Sequence, residues 1–185
     1  SDSAGRRREA LDLVEQLRAV AGQDHSKSLF SHPRIADALA HALRYAAELG
    51  DPQAALSLSN AVNLLDETLG PDHPDTLTSR GNLADAYWYV GRPDQTIDLH
   101  KKILADCLRV LGPDHPHTLA SRNNLAGAYW SAGKLDQAIR LLEQNLTDRE
   151  RVLGPDHPDT LTSRNNLAGA YESAGRLDEA IDLFE

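Results

Sequence analysis

Three copies of an Asp-His-Pro motif carry residue types that often bind metal ions. They begin at Asp72, Asp114 and Asp156, with a constant spacing of 42 residues. Metal ligands must converge within a few ångströms, whereas copies in successive structural repeats would lie in separate loops. We therefore predict no metal site and no cofactor. Each motif instead predicts a helix start, with the aspartate as the cap, the proline in the first turn, and the histidine packing or capping.

Motifs for covalent chemistry are also missing from the sequence. The single cysteine, Cys107, has no histidine held beside it by the repeat, so we expect it to pack in a helix. No glycine-rich phosphate loop, Gly-x-Ser-x-Gly or His-Glu-x-x-His motif occurs. We predict no catalytic residue and interpret the protein as a non-enzyme.

The composition restricts the class of protein further. The 185 residues are 41% hydrophobic and 25% charged, which is typical of a folded chain. With 19 basic and 28 acidic residues the net charge is −9, which disfavours a nucleic-acid partner. No signal peptide or membrane-spanning run is visible, so we expect no membrane association and a cytoplasmic protein. Because the sequence has no Met and stops within an amphipathic pattern, we interpret it as a fragment of a longer protein.

Internal repetition dominates the chain. The string Leu-Gly-Pro-Asp-His-Pro begins at Leu69, Leu111 and Leu153, and residues 111–143 and 153–185 agree at 26 of 33 positions. His32-Pro33 marks a fainter copy, one residue short of the full period. We predict a leading helix and linker over residues 1–30 and an array over 31–185. Its repeats span approximately 31–68, 69–110, 111–152 and 153–185, the last one truncated.

Each repeat is predicted to form two helices. In repeat 111–152, Leu119, Ala126 and Tyr129 follow the 3–4 spacing of one helical face, and Gly133 ends that helix. Asp136 begins a second helix with its own apolar face. Such hairpins bury both apolar faces only by stacking, which predicts an all-α solenoid. Between the hairpins we expect tyrosines in the core, namely Tyr87, Tyr129 and Tyr171.

These residues resemble the tetratricopeptide repeat. The pattern Leu125-Ala126-x-x-Tyr129-x-x-x-Gly133-x-x-x-x-Ala138-Ile139 fits that motif. The string His-Pro-x-x-x-x-x-x-Asn-Asn-Leu-Ala, at residues 115–126 and 157–168, resembles the 42-residue variant in kinesin light chains and their bacterial relatives, which suggests a bacterial source. The resemblance covers about residues 31–185. It implies a right-handed superhelix of antiparallel hairpins whose first helices line a concave groove, which in the family holds partner peptides.

Helical spacing predicts which residues face this groove. If Leu119, Ala126 and Tyr129 face the core, residues such as Asn123 and Trp130 point away from it. Tryptophan is a common anchor for binding, and asparagine can both donate to and accept from a peptide backbone. The predicted peptide-binding groove comprises Trp88, Trp130, Asn123, Asn165, Asn124, Asn166, Arg122 and Arg164.

Each type of groove residue also has a structural alternative. The tryptophans could pack on neighbouring helices, the asparagines could hold the stack in register, and the arginines could pair with local aspartates. For Arg122 and Arg164 the sequence favours neither role, because both kinds of partner suit a guanidinium group.

The favoured function is a non-catalytic protein–protein interaction scaffold that binds an extended peptide or partner segment in the groove. The net charge of −9 favours a neutral or basic ligand. One alternative is a structural element that associates with itself, forming a homo-oligomer through the ends of the solenoid. The other is a sensor domain of a larger regulatory protein, such as a nucleotide-binding signalling protein.

Overall fold

A computed structural model describes residues 12–17, 19–21, 32–48 and 52–184. Residues 12–17 and 19–21 are helical, and no strand occurs in any of these ranges. The longer elements are α1 (Pro33–Glu48), α2 (Pro52–Ser57), α3 (Ser59–Leu69), α4 (Pro74–Tyr89), α5 (Pro93–Val110), α6 (Pro116–Ser131), α7 (Leu135–Leu153), α8 (Pro158–Ser173) and α9 (Leu177–Asp182). The predicted all-α class is therefore confirmed. The predicted linker that ends at residue 30 lies outside the described residues.

The helices pack as successive hairpins within two compact units, residues 1–99 and 100–185. In the first unit, α1 packs on α2 and α4, and both α2 and α3 also contact α4. In the second unit, α7 packs on both α6 and α8, and α8 packs on α9. A second helix therefore contacts the first helix of its own hairpin and that of the next, which is the packing of stacked repeats. No described helix is long and apolar enough to cross a membrane.

The first unit has a core of aliphatic side chains. Leu39 and Leu43 of α1 and Leu65 of α3 are fully buried there. Val14 and Leu17 of the leading helical segment join the same cluster. Burial of each such side chain contributes about 1.5–3 kcal/mol, so this cluster holds the first unit together.

The second unit has its own core, in which alanines allow close approach of the helices. Ala126 and Ala138, on the facing helices α6 and α7, are both fully buried. Tyr129 and Tyr171 are 9% and 8% exposed, so their predicted core positions are confirmed. In the first unit Tyr87 is partly buried against the cluster there.

At the helix starts the aspartate does not act as the predicted cap, and of the two roles predicted for the histidine, packing or capping, the structure shows capping. Nδ1 of His73, His115 and His157 accepts a hydrogen bond from the backbone N–H two residues later, at 3.3, 3.2 and 3.1 Å respectively. Each histidine has extended backbone angles and stands directly before a proline in the first turn, as an N-cap residue must. The aspartate comes one residue too early, and Asp114 instead pairs with Arg151 of α7.

The end of α6 follows the prediction for Gly133. This glycine has φ of 72°, in the left-handed region. The backbone N–H of Lys134 donates to the carbonyl of Tyr129 at 2.9 Å, which satisfies a carbonyl of the last turn. The tight turn lets α7 run back along α6.

Candidate functional site

The candidate site is the exposed side of the two first helices of the second unit, which we call the first-helix face. On α6 it contains Asn123, Asn124, Gly127 and Trp130; on α8 it contains Asn165, Asn166, Gly169 and Glu172. The corresponding positions on α4 of the first unit, described by itself, hold Gly81, Asn82, Asp85 and Trp88. These residues recur every three to four positions, opposite the buried alanines and leucines. All of them are exposed or partly buried, as the helical spacing predicts.

Trp130 lies against the next first helix. A Cβ atom placed on Gly169 of α8 would come within 2.7 Å of Cη2 of the Trp130 ring. No real side chain tolerates such a distance, so the indole occupies the space that the missing side chain leaves. The ring is only partly buried, so it is fixed on α8 while part of its surface faces solvent.

Trp88 is more exposed than Trp130. Its side chain is 48% exposed, and its ring meets that of Tyr89 edge-on, with the centroids 4.9 Å apart. Asp85 lies one turn earlier on the same helix, and burial raises the pKa of its carboxyl. Within the first unit, α4 therefore presents an aromatic group and an acidic group together.

The asparagines divide into two groups. Asn166 donates from Nδ2 to Oδ1 of Asn123 at 3.0 Å, and Asn82 donates from Nδ2 to the carbonyl of Ala40 at 3.4 Å. These bonds join a first helix to the preceding first helix and hold the register of the stack. Asn124 and Asn165 are exposed and make no hydrogen bond within the described residues, so their amides are available to a ligand.

The arginines of the predicted groove bind carboxylates of this chain. Arg122 is 3% exposed and donates to Asp148 of α7 at 2.7 Å, and Arg164 donates to Glu150 at 2.8 Å. Arg80 pairs at 2.5 Å with Asp66, which precedes it by 14 residues, as Glu150 precedes Arg164.

Arg122 has a different carboxylate partner from its equivalents. Leu108 occupies the position 14 residues before it, so its guanidinium turns instead to Asp148 on α7. All three arginines therefore pair with carboxylates of this chain. We leave Arg122 and Arg164 out of the proposed binding surface.

Tyr171 is part of a polar contact at the edge of the second unit. Its hydroxyl donates to Glu143 of α7 at 2.7 Å, and the guanidinium of Arg176 lies 4.5 Å from the ring centroid. Burial, followed by the bond to Glu143, raises the pKa of Tyr171 to about 12. This contact stabilises the packing of α8 on α7 and lies away from the exposed asparagines.

Groups with reactive potential are scattered through the described part of the chain. Within it, no three His, Cys, Asp or Glu side chains come close enough to hold a metal ion. Cys107 is buried, with Sγ 3.5 Å from the hydroxyl of Ser121. The ring of His115 stacks on that of His117, with the centroids 5.4 Å apart. None of these contacts pairs a nucleophile with a base beside an open site.

The sequence prediction missed the role of Gly169. The available signal was the glycine inside α8, 39 residues after Trp130, although Gly127 follows Trp88 by the same interval and has no atom within 4 Å of a Cβ placed there. A glycine inside a helix costs roughly 1 kcal/mol relative to alanine, so a glycine there suggests a close contact.

Comparison with known proteins identifies the repeat. The model of the tetratricopeptide repeat family matches residues 47–106, 82–147 and 123–185. A crystal structure of a kinesin light chain-like protein of Podosopora anserina, with nearly identical TPR-like repeats, is 27% identical with a TM-score of 0.75. It covers 100% of this chain and 94% of that one. A variant of that protein is 28% identical, with a TM-score of 0.76, and covers 97% of this chain and 91% of that one.

A more distant structure shares the fold. BtubC (BKLC) from P. vanneervenii is 20% identical with a TM-score of 0.72, and covers 98% of this chain and 71% of that one. No curated protein sequence matches the chain. The repeat matches, the helical hairpins and the solved relatives lead to one conclusion: the chain belongs to the tetratricopeptide repeat family, in its kinesin light chain-like form, and is an α-solenoid of the protein-interaction scaffold type.

Proposed function

We propose that the first-helix face binds an extended segment of a partner protein, without catalysis. The observation that carries this proposal is the position of Trp130, which Gly169 holds on α8 with part of the ring exposed. A fixed, partly exposed indole offers an apolar anchor that needs little ordering when a ligand arrives.

Exposed amides beside the ring supply the polar part of such a site. Asn165 lies one turn before Gly169 on α8, and its amide makes no hydrogen bond within the described residues. The exposed amide of Asn124 on α6 also makes no hydrogen bond within the described residues. Each amide has two donors and one acceptor oxygen, which match the alternating groups of an extended peptide backbone. Gly127 leaves open space on the surface between them and the ring.

Selection from a random peptide library tests the proposal. Twelve-residue peptides displayed on phage are selected on the intact chain, and their affinities are then measured for Trp130→Ala. We expect this change to weaken binding by about 2 kcal/mol or more, which corresponds to roughly thirtyfold. Circular dichroism should show unchanged helical content.

Val152→Ala is the matched control, because Val152 is exposed at the end of the second helix α7. It should leave peptide affinity unchanged. Selected peptides that bind Trp130→Ala as tightly as the unaltered chain would exclude the first-helix face as the binding surface.

Self-association is a second candidate, favoured by the exposed apolar side chains of α9 and its end. Leu177, Ile181 and Phe184 are 59%, 57% and 63% exposed. Apolar side chains grouped in this way favour contact with another protein surface. Light scattering should then show a dimer that Ile181→Ser with Phe184→Ser converts to monomer, whereas a monomer at every concentration would remove this candidate.

A further inference from the structure

A free carboxylate stands beside the fixed indole of the first-helix face. Glu172 follows Gly169 by three residues on α8, so the two lie about 60° apart around the helix axis and one turn apart along it. Because the Trp130 ring lies on Gly169, Glu172 follows the ring's contact point by one turn of α8. It is exposed, and its carboxylate makes no ion pair or hydrogen bond within the described residues.

Trp130 also differs from the two tyrosines of the second unit. Lys101 lies 5.9 Å from the ring centroid of Tyr129, and Arg176 lies 4.5 Å from that of Tyr171. No described cation lies over Trp130, although tryptophan has the aromatic face that attracts cations most strongly. On the same two helices, Arg122 and Arg164 pair with Asp148 and Glu150.

We propose that Trp130 and Glu172 form a recognition point for a positively charged side chain, arginine or lysine, of the partner segment. The inference rests on the proposed function and adds the chemistry of its ligand. A guanidinium group can stack on the indole face while its edge donates to the carboxylate. Asn165, one turn before Gly169, would bond the backbone of the same segment.

Two further observations support a basic partner. The chain carries a net charge of −9, which attracts a basic segment and repels an acidic one. The first unit also has a carboxylate near a tryptophan, because Asp85 lies one turn before the exposed Trp88 on α4. A carboxylate beside an exposed tryptophan thus occurs in both units.

The test measures the affinity of selected peptides for the unaltered chain and for Glu172→Gln. The probe is a phage library of random twelve-residue peptides. We expect the selected peptides to be enriched in arginine and lysine, and we expect Glu172→Gln to weaken their binding at least about fivefold, as removal of one charge-assisted bond does. Replacing the critical arginine of a selected peptide with glutamine should remove the difference between the two proteins.

Asp136→Asn is the matched control, since it removes one exposed negative charge from the first turn of α7, a second helix that contributes no residue to the first-helix face. Its peptide affinity should equal that of the unaltered chain. Peptides that require Trp130 but lack basic residues, or that bind Glu172→Gln equally well, would overturn this inference and leave the proposed function standing. Selected peptides that do not require Trp130 would overturn both.

Discussion

Two interfaces between neighbouring hairpins use the same repeat positions in opposite ways. Where α3 meets α4 in the first unit, the buried residues Ala61 and Leu65 are apolar. Where α7 meets α8 in the second unit, the positions two periods later hold Asn145 and Arg149, which are also buried. The backbone arrangement is that of the same stacked repeat, so the helices tolerate either kind of side chain.

The polar interface satisfies some groups and leaves others unpaired. Asn145 donates to the hydroxyl of Ser163 at 3.3 Å, and Arg149 donates to the carbonyl of Asp159 at 2.5 Å. Within the described residues, Oδ1 of Asn145 and Nε of Arg149 have no hydrogen-bond partner. In the apolar interface the hydroxyl of Ser79, equivalent to Ser163, has none either.

The apolar and the polar interface contribute differently to stability. The burial of aliphatic groups stabilises the first interface directly. In the second interface, burial lowers the pKa of Arg149. Keeping its guanidinium group charged in the folded state therefore costs free energy. Directional bonds to Ser163 and Asp159 favour one register of α7 on α8 at some expense of stability.

The largest expected effect is at the apolar interface. Leu65→Ala removes a fully buried side chain and leaves a cavity, so we expect a loss of about 2–5 kcal/mol in the free energy of unfolding. Urea unfolding followed by circular dichroism measures this loss.

Arg149→Leu places the side chain of Leu65 at the equivalent polar position. Removing a buried charge in favour of an aliphatic group should leave the free energy of unfolding unchanged or raise it by about 1–4 kcal/mol. A loss similar to that of Leu65→Ala would show that the polar interface depends on Arg149 as strongly as the apolar one depends on Leu65.

Alanine substitution of the two equivalent serines should affect the free energy of unfolding differently. Ser163→Ala leaves the buried Nδ2 of Asn145 without its acceptor, so we expect a loss of about 1–3 kcal/mol. Ser79→Ala removes a hydroxyl that has no partner within the described residues, so stability should stay the same or rise slightly. Equal effects in urea unfolding of the two variants would contradict the assigned bond.

The smallest effect concerns alkaline pH in the second unit. The pKa of Tyr171 is raised from 10.0 to about 12 on folding, so the folded state favours the neutral phenol. Its contribution is fully present below about pH 10 and is lost as the pH rises toward about 12. Melting temperatures of the unaltered chain should fall more steeply over this range than those of Tyr171→Phe. Parallel curves would contradict the raised pKa.

Much of the fold could be predicted from the sequence because it depends on periodic features. The 42-residue period and the 3–4 spacing of apolar residues place Tyr129 and Tyr171 in the core, where they are buried. The sequence prediction wrongly placed the aspartate as the cap and left capping as one of two roles for the histidine, because aspartate has the higher general preference for that position. The proline after each histidine decides the outcome by fixing the first turn at the next residue.

Less of the candidate site could be predicted. Helical spacing gives the direction of Asn123 and Trp130 but not their partners on other helices. The bond from Asn166 to Asn123 depends on the rise and rotation between repeats, and the pairing of Arg122 with Asp148 depends on how α6 packs on α7 within one repeat. Leu108, which takes the place of an acidic partner for Arg122, shows that near-identical repeats can pair differently.

The contact between Trp130 and Gly169 makes the repeats dependent on their order. A residue larger than glycine at position 169 would force the Trp130 ring to shift, since a Cβ there would come within 2.7 Å of it. Glycine also occupies the corresponding position 127, but a Cβ placed there would meet no atom within 4 Å, so the close contact belongs to this pair of repeats. Recombination between near-identical repeats readily adds or deletes a copy. An exchange that places a larger residue at position 169 downstream of Trp130 would displace the ring, so we expect these two positions to change together.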